Sequence, residues 1–335
     1  MCALRYFLPL AFCLLCFGVQ AQDLHFSQFY HNPLQLNPAR TGVFKGDWRA
    51  SGLYRSQWTS VPVSYQTVSG TFEWKALRRK ANALSLGLQL QNDRAGDAAL
   101  RWTELGGTFA LTHAFDKTMA LGVGFGMKFV QNAFDPSLLK FKNQWDGEIF
   151  NANLPTKENF SRSSGVFSTL SAGLNLHVEP TGSRTRLDVG AGAFHLNRPG
   201  VGFRQDKQQT LSMRFAFLAD GCLQRSEQFD WVAYVGIQGM SKATSIMAGG
   251  GIRRFLSTKP GKSTAVQATL GLRIGDAIIP AVQLEYNAWT VGLSYDLNLS
   301  AFNEATAGRG GPEIAVVYKP IPPAAPKTFK TCPIF

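Results

Sequence analysis

The side chains with the greatest capacity for chemistry in this chain are its five histidines: His25, His31, His113, His177 and His195. A hydrolase site would need a histidine close to a nucleophile or a carboxylate, and a zinc site would need ligands at a characteristic spacing. No histidine here is followed by such a spacing. We therefore interpret the histidines as structural residues, and we expect no enzymatic activity, no metal and no other cofactor.

Two glycine-rich stretches have the composition of phosphate-binding loops. They are Gly249-Gly250-Gly251 and Gly308-Arg309-Gly310-Gly311. A phosphate loop joins a strand to a helix and ends in Lys-Ser or Lys-Thr, and neither stretch has that setting. We interpret the first as a bend in a strand and the second as a loop packed closely against its surroundings.

Basic side chains form three clusters that could bind phosphate or carboxylate groups. They are Arg78-Arg79-Lys80, then Arg253-Arg254 with Lys259 and Lys262, and finally Lys319 with Lys327 and Lys330. Such side chains either extend along an apolar surface to lipid phosphates or form a docking rim for a partner protein. The choice depends on the elements that carry them.

The nature of those elements is clearest between Met119 and Val130, where large and small residues alternate. Leu121, Val123, Phe125, Met127 and Phe129 would share one face of a strand, and Gly122, Gly124, Gly126 and Lys128 the other. This pattern is typical of a strand with lipid on one side and a crowded, wet interior on the other. A soluble all-β protein is the alternative.

The same alternation recurs in segments of about ten residues, which we interpret as strands. We place them near 47–58, 65–75, 82–92, 101–114, 118–131, 164–178, 184–195, 208–221, 228–239, 243–254, 263–274, 277–286, 288–298 and 312–319. About fourteen strands, an even number, predict a transmembrane antiparallel up-and-down β-barrel over residues 47–319 with both termini in the periplasm. The long predicted connections all fall on the other side, outside the cell. The three basic clusters then lie on the periplasmic side.

Residues 1–21 are typical of a secretory signal peptide. Arg5 supplies the positive charge, Leu8 to Phe17 the apolar segment and Val19-Gln20-Ala21 the cleavage site. Cys16 leaves a lipoprotein as an alternative. No later run approaches the roughly 18 apolar residues of a spanning helix, so we expect an exported protein that crosses the bacterial outer membrane with strands.

Loss of the single positive charge in the signal lowers the formal net charge from +12 to +11. An exported chain does not meet nucleic acid. The positive charge therefore predicts contacts with outer-membrane lipid, lipopolysaccharide or an acidic protein partner.

Two cysteines, Cys222 and Cys332, remain after the signal is removed. We place Cys222 in the turn after the eighth strand and Cys332 in a Pro-rich periplasmic tail, residues 320–335. Because the periplasm is oxidising, one hypothesis is a disulfide that ties the tail to the barrel. Two unpaired thiols are the alternative.

Residues 22–46 form a leader that is not strand-like. Asn32-Pro33 and Asn37-Pro38 impose turns, and Phe26, Phe29 and Tyr30 lie just before them. A disordered leader would carry fewer aromatic residues. We expect this segment to fold back and pack, either as a plug inside the barrel or on its rim.

The leader also carries a resemblance to a known family. Phe26-Ser27-Gln28-Phe29-Tyr30, Asn32-Pro33-Leu34, Leu36-Asn37-Pro38-Ala39 and Gly42 resemble the opening of PorP/SprF proteins, outer-membrane components of the type IX secretion and gliding machinery of Bacteroidota. Further similarities follow in family order at Trp58, Gln144-Trp145-Asp146-Gly147, Ala193-Phe194-His195-Leu196-Asn197-Arg198-Pro199, Gly275-Asp276-Ala277-Ile278-Ile279-Pro280, Tyr295-Asp296-Leu297-Asn298 and Ala307-Gly308-Arg309-Gly310-Gly311. The tail after Lys319 is not covered.

The resemblance implies a non-enzymatic role in secretion or gliding. The barrel would dock periplasmic or outer-membrane subunits, or help to export or anchor a surface protein such as an adhesin. Our candidate partner-binding residues are Phe29, Tyr30, Asn32, Pro33, Asn37, Pro38, Arg78, Arg79, Lys80, Trp145 and Arg309. A passive porin for small solutes is the alternative, since inward glycines permit an open lumen, and a barrel hydrolase is a further one.

Overall fold

The computed structural model describes residues 25–57, 65–96, 98–158, 160, 162–203, 209–259, 262–300 and 308–320. Within them, fourteen antiparallel strands form one closed barrel, in which every strand pairs with its neighbours in sequence and the last pairs with the first. The predicted signal peptide, Trp58, Cys332, Lys327 and Lys330 lie outside the described residues, so the disulfide hypothesis stays a prediction.

The strands are β1 Trp48–Gln57, β2 Tyr65–Arg79, β3 Asn82–Ala95, β4 Leu100–Ala114, β5 Met119–Ala133, β6 Ser164–Val178, β7 Arg186–Phe194, β8 Arg214–Gln224, β9 Phe229–Met240, β10 Ala243–Ser257, β11 Thr264–Arg273, β12 Ala277–Tyr286, β13 Trp289–Asn298 and β14 Arg309–Tyr318. The predicted fourteen-stranded up-and-down barrel is confirmed. No helix among the described residues is long and apolar enough to cross a membrane.

The eighth strand differs most from its prediction, beginning at residue 214 rather than 208. Its ladders continue further than expected at the other end, to the pairs Arg186–Cys222 and Gln224–Asp230. Cys222 therefore lies in the strand, and its predicted position in the following turn is wrong. Alternation alone could not fix this boundary, because the neighbouring strands determine where pairing stops.

The alternation of β5 has the predicted orientation. The side chains of Phe125 and Phe129 are 45% and 56% exposed on the outer face, whereas Lys128 is 8% exposed and points into the barrel. The outer faces of β9, β11 and β13 are likewise apolar and exposed, at Trp231, Leu270 and Leu293. In a closed ring every strand edge is hydrogen-bonded to a neighbour, and the outer face is apolar. A lipid environment requires both.

The connections also differ at the two ends of the barrel. The longest joins β5 to β6, and others join β7 to β8 and β13 to β14; all are at one end. At the opposite end, β2 and β3 are separated by two residues, as are β12 and β13. Long outer loops and short periplasmic turns are the rule for such barrels, so we call these the outer end and the periplasmic end.

The leader lies inside the barrel, which settles the choice between plug and rim. We call its described part, residues 25–46, the plug. It contains three short 3-10 turns, Phe29–His31, Pro33–Gln35 and Pro38–Arg40. Each Asn-Pro pair begins one of them, since proline suits the first helical position, and Asn37 accepts the N–H of Ala39 at 2.9 Å.

Candidate functional site: the plugged lumen and the periplasmic mouth

The plug is seated against the small inner faces of β5 and β7. A Cβ atom on Gly124 would lie 2.3 Å from the backbone nitrogen of Ala39, and one on Gly192 would lie 2.4 Å from the carbonyl oxygen of Leu36. Both distances are far below van der Waals contact. The inward glycines predicted for the barrel thus admit the plug backbone and do not leave an empty lumen.

Aromatic packing holds the middle of the plug. The ring of Phe29 lies 5.6 Å from that of Tyr234 in an edge-on arrangement, and Tyr30 lies 4.9 Å from the same ring. Leu36 joins Phe29 in a buried apolar cluster with Phe194, Leu218, Met247 and Ile279 of the wall. Such pairs are favourable beyond the area they bury.

The start of the plug is held by two carboxylates and two guanidinium groups of the wall. Glu313 accepts the backbone N–H groups of Ser27 and Gln28, both at 2.7 Å. Asp296 accepts the hydroxyl of Ser27 at 2.7 Å and hydrogen bonds from Arg55 at 2.6 Å and Arg273 at 3.0 Å. Buried charges are stable only when they are paired and hydrogen-bonded, and these satisfy that requirement together.

Polar contacts secure the rest of the plug to several strands. Asn32 donates to the Ser69 hydroxyl at 2.8 Å and Asn37 donates to the Leu174 carbonyl at 2.7 Å. Arg40 lies 2.7 Å from Asp220 in a buried ion pair, and the Gly42 N–H donates to Glu73 at 3.0 Å. The wall therefore binds the plug along its whole described length.

Six of the candidate partner-binding residues belong to the plug. Phe29, Asn32, Pro33, Asn37 and Pro38 are buried in the lumen, and Tyr30 is partly buried against Tyr234. Their neighbours are the plug itself and the barrel wall. We assign them to the closure of the lumen, and a direct contact with a partner stays an untested prediction.

Below the plug, the periplasmic end encloses a cavity of about 460 Å³. We call this cavity the periplasmic mouth. Seven of its lining residues are lysine or arginine, one is His177, and one, Glu179, is acidic. The lysines and arginines are Lys45, Lys75, Arg78, Arg184, Arg186, Arg253 and Lys319.

Most of these cations have a carboxylate nearby. Lys45 pairs with Glu179 at 2.5 Å, and Arg78 pairs with Asp47 at 2.8 Å. The remaining pairs are Arg184 with Asp230 at 2.9 Å, Arg186 with Asp220 at 3.3 Å and Arg253 with Glu285 at 3.3 Å. The arginines are thereby fixed in position around the cavity.

Two lysines lack such a partner among the described residues. The ammonium of Lys75 donates to the Phe44 carbonyl and lies 4.8 Å from the centre of the Phe44 ring, with no carboxylate in ion-pair distance. The ammonium of Lys319 has neither an ion pair nor a hydrogen bond within the part of the chain that the structure describes.

Lys319 follows the last residue of β14 and is partly buried in the mouth. Burial is the largest influence on its pKa and, with the nearby Arg186, Arg49 and Arg253, lowers it to about 8, although Glu285 acts in the opposite direction. The surroundings of this ammonium thus disfavour its positive charge. An anion in the mouth would reverse that effect.

The structure separates the remaining candidate residues between the two ends of the barrel. Arg78 lines the mouth, while Arg79 and Lys80 are exposed at the adjacent turn. Trp145 is 56% exposed in the long outer loop, and Arg309 is exposed where β14 begins at the outer end. The candidate residues outside the plug therefore form two separate surfaces, one at each end of the barrel.

Trp145 follows the 3-10 turn Lys142–Gln144 in the outer loop. The next residue, Asp146, accepts the N–H groups of Ile149 at 2.9 Å and Glu148 at 3.0 Å. These bonds stabilise the carboxylate and lower the pKa of Asp146. The local turn fixes the backbone and leaves the indole ring free on the surface.

The second basic cluster is divided between the two faces of the wall. Arg253 points into the mouth, whereas its neighbour Arg254 is exposed on the outer face and lies 5.7 Å from the Phe229 ring. Both predicted uses of basic residues are therefore available within one cluster. Arg254 suits lipid phosphates, and Arg253 suits a ligand in the mouth.

Sequence reasoning missed Lys75, Arg184 and Arg186 as members of this site. Inward alternation was the available signal, since each faces the interior near the periplasmic end of its strand or turn. Cys222 also lines the mouth, and its thiol lies 2.9 Å from the Arg184 carbonyl oxygen. Among the described residues, no group of three or more His, Cys, Asp or Glu is placed to hold a metal.

The closed ring, its apolar outer face and its filled interior define a protein of the outer membrane whose barrel is plugged by its own N-terminal segment. The chain belongs to the PorP/SprF family of type IX secretion system membrane proteins, whose family model matches residues 18–318. The resemblance seen in the sequence and the expected location in the outer membrane are thereby confirmed. A comparison with curated proteins found no match.

Several solved structures are similar in fold. The toluene transporter TbuX of Ralstonia pickettii is 11% identical with a TM-score of 0.50, over 85% of this chain and 92% of that one. A FadL homologue of Pseudomonas aeruginosa is 10% identical with a TM-score of 0.47, over 84% and 92%. BamA of Haemophilus ducreyi, lacking POTRA domains 1–3, is 9% identical with a TM-score of 0.42, over 82% and 70%. At these identities the likeness concerns the barrel fold alone.

Proposed function

We propose that this barrel is a non-enzymatic docking component of the type IX secretion machinery. It binds periplasmic or outer-membrane subunits at its periplasmic end and helps to export or anchor a surface protein, such as an adhesin, at its outer end. One observation carries the proposal: the plug occupies the lumen and is bound by the wall through buried ionic, polar and aromatic contacts.

A filled barrel suits docking better than conduction. Its wall and plug form one preorganised body, so a partner that binds to either end loses little entropy in ordering the barrel. The basic periplasmic end would attract acidic surfaces and favour their correct orientation. The exposed Trp145 offers an aromatic anchor for a surface protein, a residue type enriched in interface hot spots.

The porin alternative needs a continuous water path through the lumen. In the described residues that space holds Phe26, Leu34, Leu36 and Ala39 of the plug, all no more than 2% exposed. A solute could pass only if the plug left its seat, and the buried wall carboxylates Asp296 and Glu313 would then lose their bonds to Ser27 and Gln28. The geometry therefore favours docking.

Charge reversal at the periplasmic turn tests the docking role. The variant Arg78→Glu/Arg79→Glu/Lys80→Glu reverses three positive charges at the short turn between β2 and β3. We expect periplasmic secretion subunits to stop co-purifying with it from intact membranes, because like charges at an interface are strongly unfavourable. Heat-modifiable migration on gels would show that the barrel still assembles.

The matched control reverses three exposed lysines in the outer loop, in the variant Lys140→Glu/Lys142→Glu/Lys157→Glu. It changes the net charge equally but at the other end, and we expect it to keep the periplasmic subunits. Unchanged co-purification with the periplasmic variant would refute docking through this end.

A further inference from the structure

Among the described residues, the cations that line the periplasmic mouth outnumber the carboxylates paired with them. Five of its seven cations have a carboxylate within 4 Å, whereas Lys75 and Lys319 have none among the described residues. Burying an ammonium group without a carboxylate beside it is costly, and the contacts of Lys75 with the Phe44 carbonyl and ring do not neutralise its charge. Two ammonium groups at one cavity are therefore an unusual feature of a lumen that otherwise pairs its charges closely.

The arginines around these lysines are held by their own ion pairs and form a fixed frame. Arg253 also donates to Gln267 at 2.8 Å, and Arg184 also donates to the Ser226 carbonyl at 2.7 Å. A ligand entering the mouth would meet positioned guanidinium groups at the wall and two lysines without carboxylate partners. This arrangement is preorganised for an anion.

We propose that the periplasmic mouth binds the carboxylates of an acidic peptide segment of a partner protein, with Lys75 and Lys319 as the principal contacts. This inference rests on the proposed docking function and names the chemistry of one docked segment. A volume of about 460 Å³ accommodates a few side chains and not a folded domain. The partner would thus insert an extended segment or a chain end.

The chain's own tail supplies no side-chain carboxylate for this role. Residues 320–335 contain two lysines, Lys327 and Lys330, and no acidic side chain. A lipid headgroup is also a poor occupant, because the hydrogen-bonded pairing of β1 with β14 closes the ring and leaves no lateral opening for acyl chains. A water-soluble acidic segment from the periplasm has access to the mouth without obstruction from the wall.

A direct binding measurement tests this inference on the full mature chain in detergent micelles. The probe is fluorescein-labelled hexaglutamate, and labelled hexaglutamine is the neutral control. We expect anisotropy to show hexaglutamate binding that weakens as salt rises from low to high concentration, since salt screens charges in a water-filled mouth. The variant Lys75→Gln/Lys319→Gln should weaken that binding at least tenfold.

The variant Arg254→Gln is the matched control. It removes a positive charge at the same end of the barrel but from the lipid-facing side, and it should bind hexaglutamate as the unmodified chain does. Lys319→Gln alone provides a second variant outside the strands, so that a folding defect of the Lys75 variant cannot hide the result. We expect it to lose part of the affinity.

Equal hexaglutamate binding by the unmodified chain and by both lysine variants would overturn the inference, as would equal binding of hexaglutamine. Full competition by inorganic phosphate at concentrations where free glutamate has no effect would identify a phosphate site and overturn the peptide assignment. The docking proposal has a separate readout, the co-purification of subunits with the periplasmic turn variant. Either proposal can therefore fail alone.

Discussion

At the scale of single residues, a small ionic group fixes the beginning of the plug. Glu313 is fully buried and uses both carboxylate oxygens on the N–H groups of Ser27 and Gln28. Arg55, also buried, bonds Asp296 and the carbonyl of His25. The plug backbone thus completes the hydrogen bonding of charges that the wall alone would leave unsatisfied.

Glu313→Ala should loosen the plug and leave the barrel assembled. The change removes two charge-assisted hydrogen bonds, each worth about 1.5–3 kcal/mol, while Arg55 keeps Asp296 as its partner. We expect hydrogen exchange, followed by mass spectrometry, to be at least tenfold faster in peptides from residues 25–36. These are local opening events and not global unfolding.

The control for this change is Glu285→Ala, which removes a glutamate of β12 that pairs with Arg253 in the mouth. It should leave exchange in the plug peptides unaltered. If Glu313→Ala behaved as this control does, the carboxylate of Glu313 would not be an anchor of the plug.

At the scale of elements, β5 illustrates how one strand meets two environments. Its outer face carries Phe125 and Phe129, and its inner face carries Gly124 against the third 3-10 turn of the plug. The backbone of Ala39 occupies the space that any larger residue at Gly124 would need. The plug can therefore pack against β5 at this point only because Gly124 has no side chain.

Gly124→Val should displace the plug from β5. Its added Cβ would meet backbone atoms of Ala39 at 2.3–2.4 Å, and backbone cannot yield as a flexible side chain does. Overpacking of this kind costs about 1–3 kcal/mol or more. We expect plug peptides from residues 33–46 to exchange hydrogen faster, with the barrel still resistant to cold detergent on gels.

Gly52→Val is the matched control, because a Cβ on Gly52 of β1 would meet nothing within 4 Å. In this variant the plug peptides should exchange amide hydrogen as slowly as in the unmodified chain. Equal exchange in the Gly124 and Gly52 variants would show that close approach at β5 does not hold the plug.

The strands and their faces could be predicted from sequence because alternation is a local signal with a period of two. The arrangement of the plug could not, since its anchors join residues far apart in the chain: Ser27 and Glu313 are separated by 286 positions. The leader's aromatics and Asn-Pro pairs indicated that it packs, but not where. The inward glycines, which equally permitted an open pore, are the seat of the plug.

The candidate site, like the fold, could be predicted only in part from the sequence. The basic residues of the β2–β3 turn were visible as a run in the sequence. The mouth was not, because Lys75, Arg184 and Arg186 come from separate strands and turns and converge only when the ring closes. Trp145 lies in the predicted outer loop, whereas Arg309, predicted in a loop, is the first residue of β14. The alternation of long and short connections was enough to predict that both lie at the end opposite to the basic clusters.

At the scale of the whole molecule, the barrel is a closed ring with two distinct ends. The outer end presents long loops with an exposed Trp145, and the periplasmic end presents short turns around a basic cavity. The plug lies between them and separates the two. The proposed docking function requires such a form, with one surface at each end and a filled lumen between them.

Conductance of the full mature chain in a planar lipid bilayer tests the central claim, that the plug closes the barrel, most directly. We predict that the unmodified chain gives no steady ohmic current, whereas a variant that lacks residues 25–46 opens stable pores, because the inner wall would then enclose water. Steady ohmic pores of equal size from both proteins would contradict the claim.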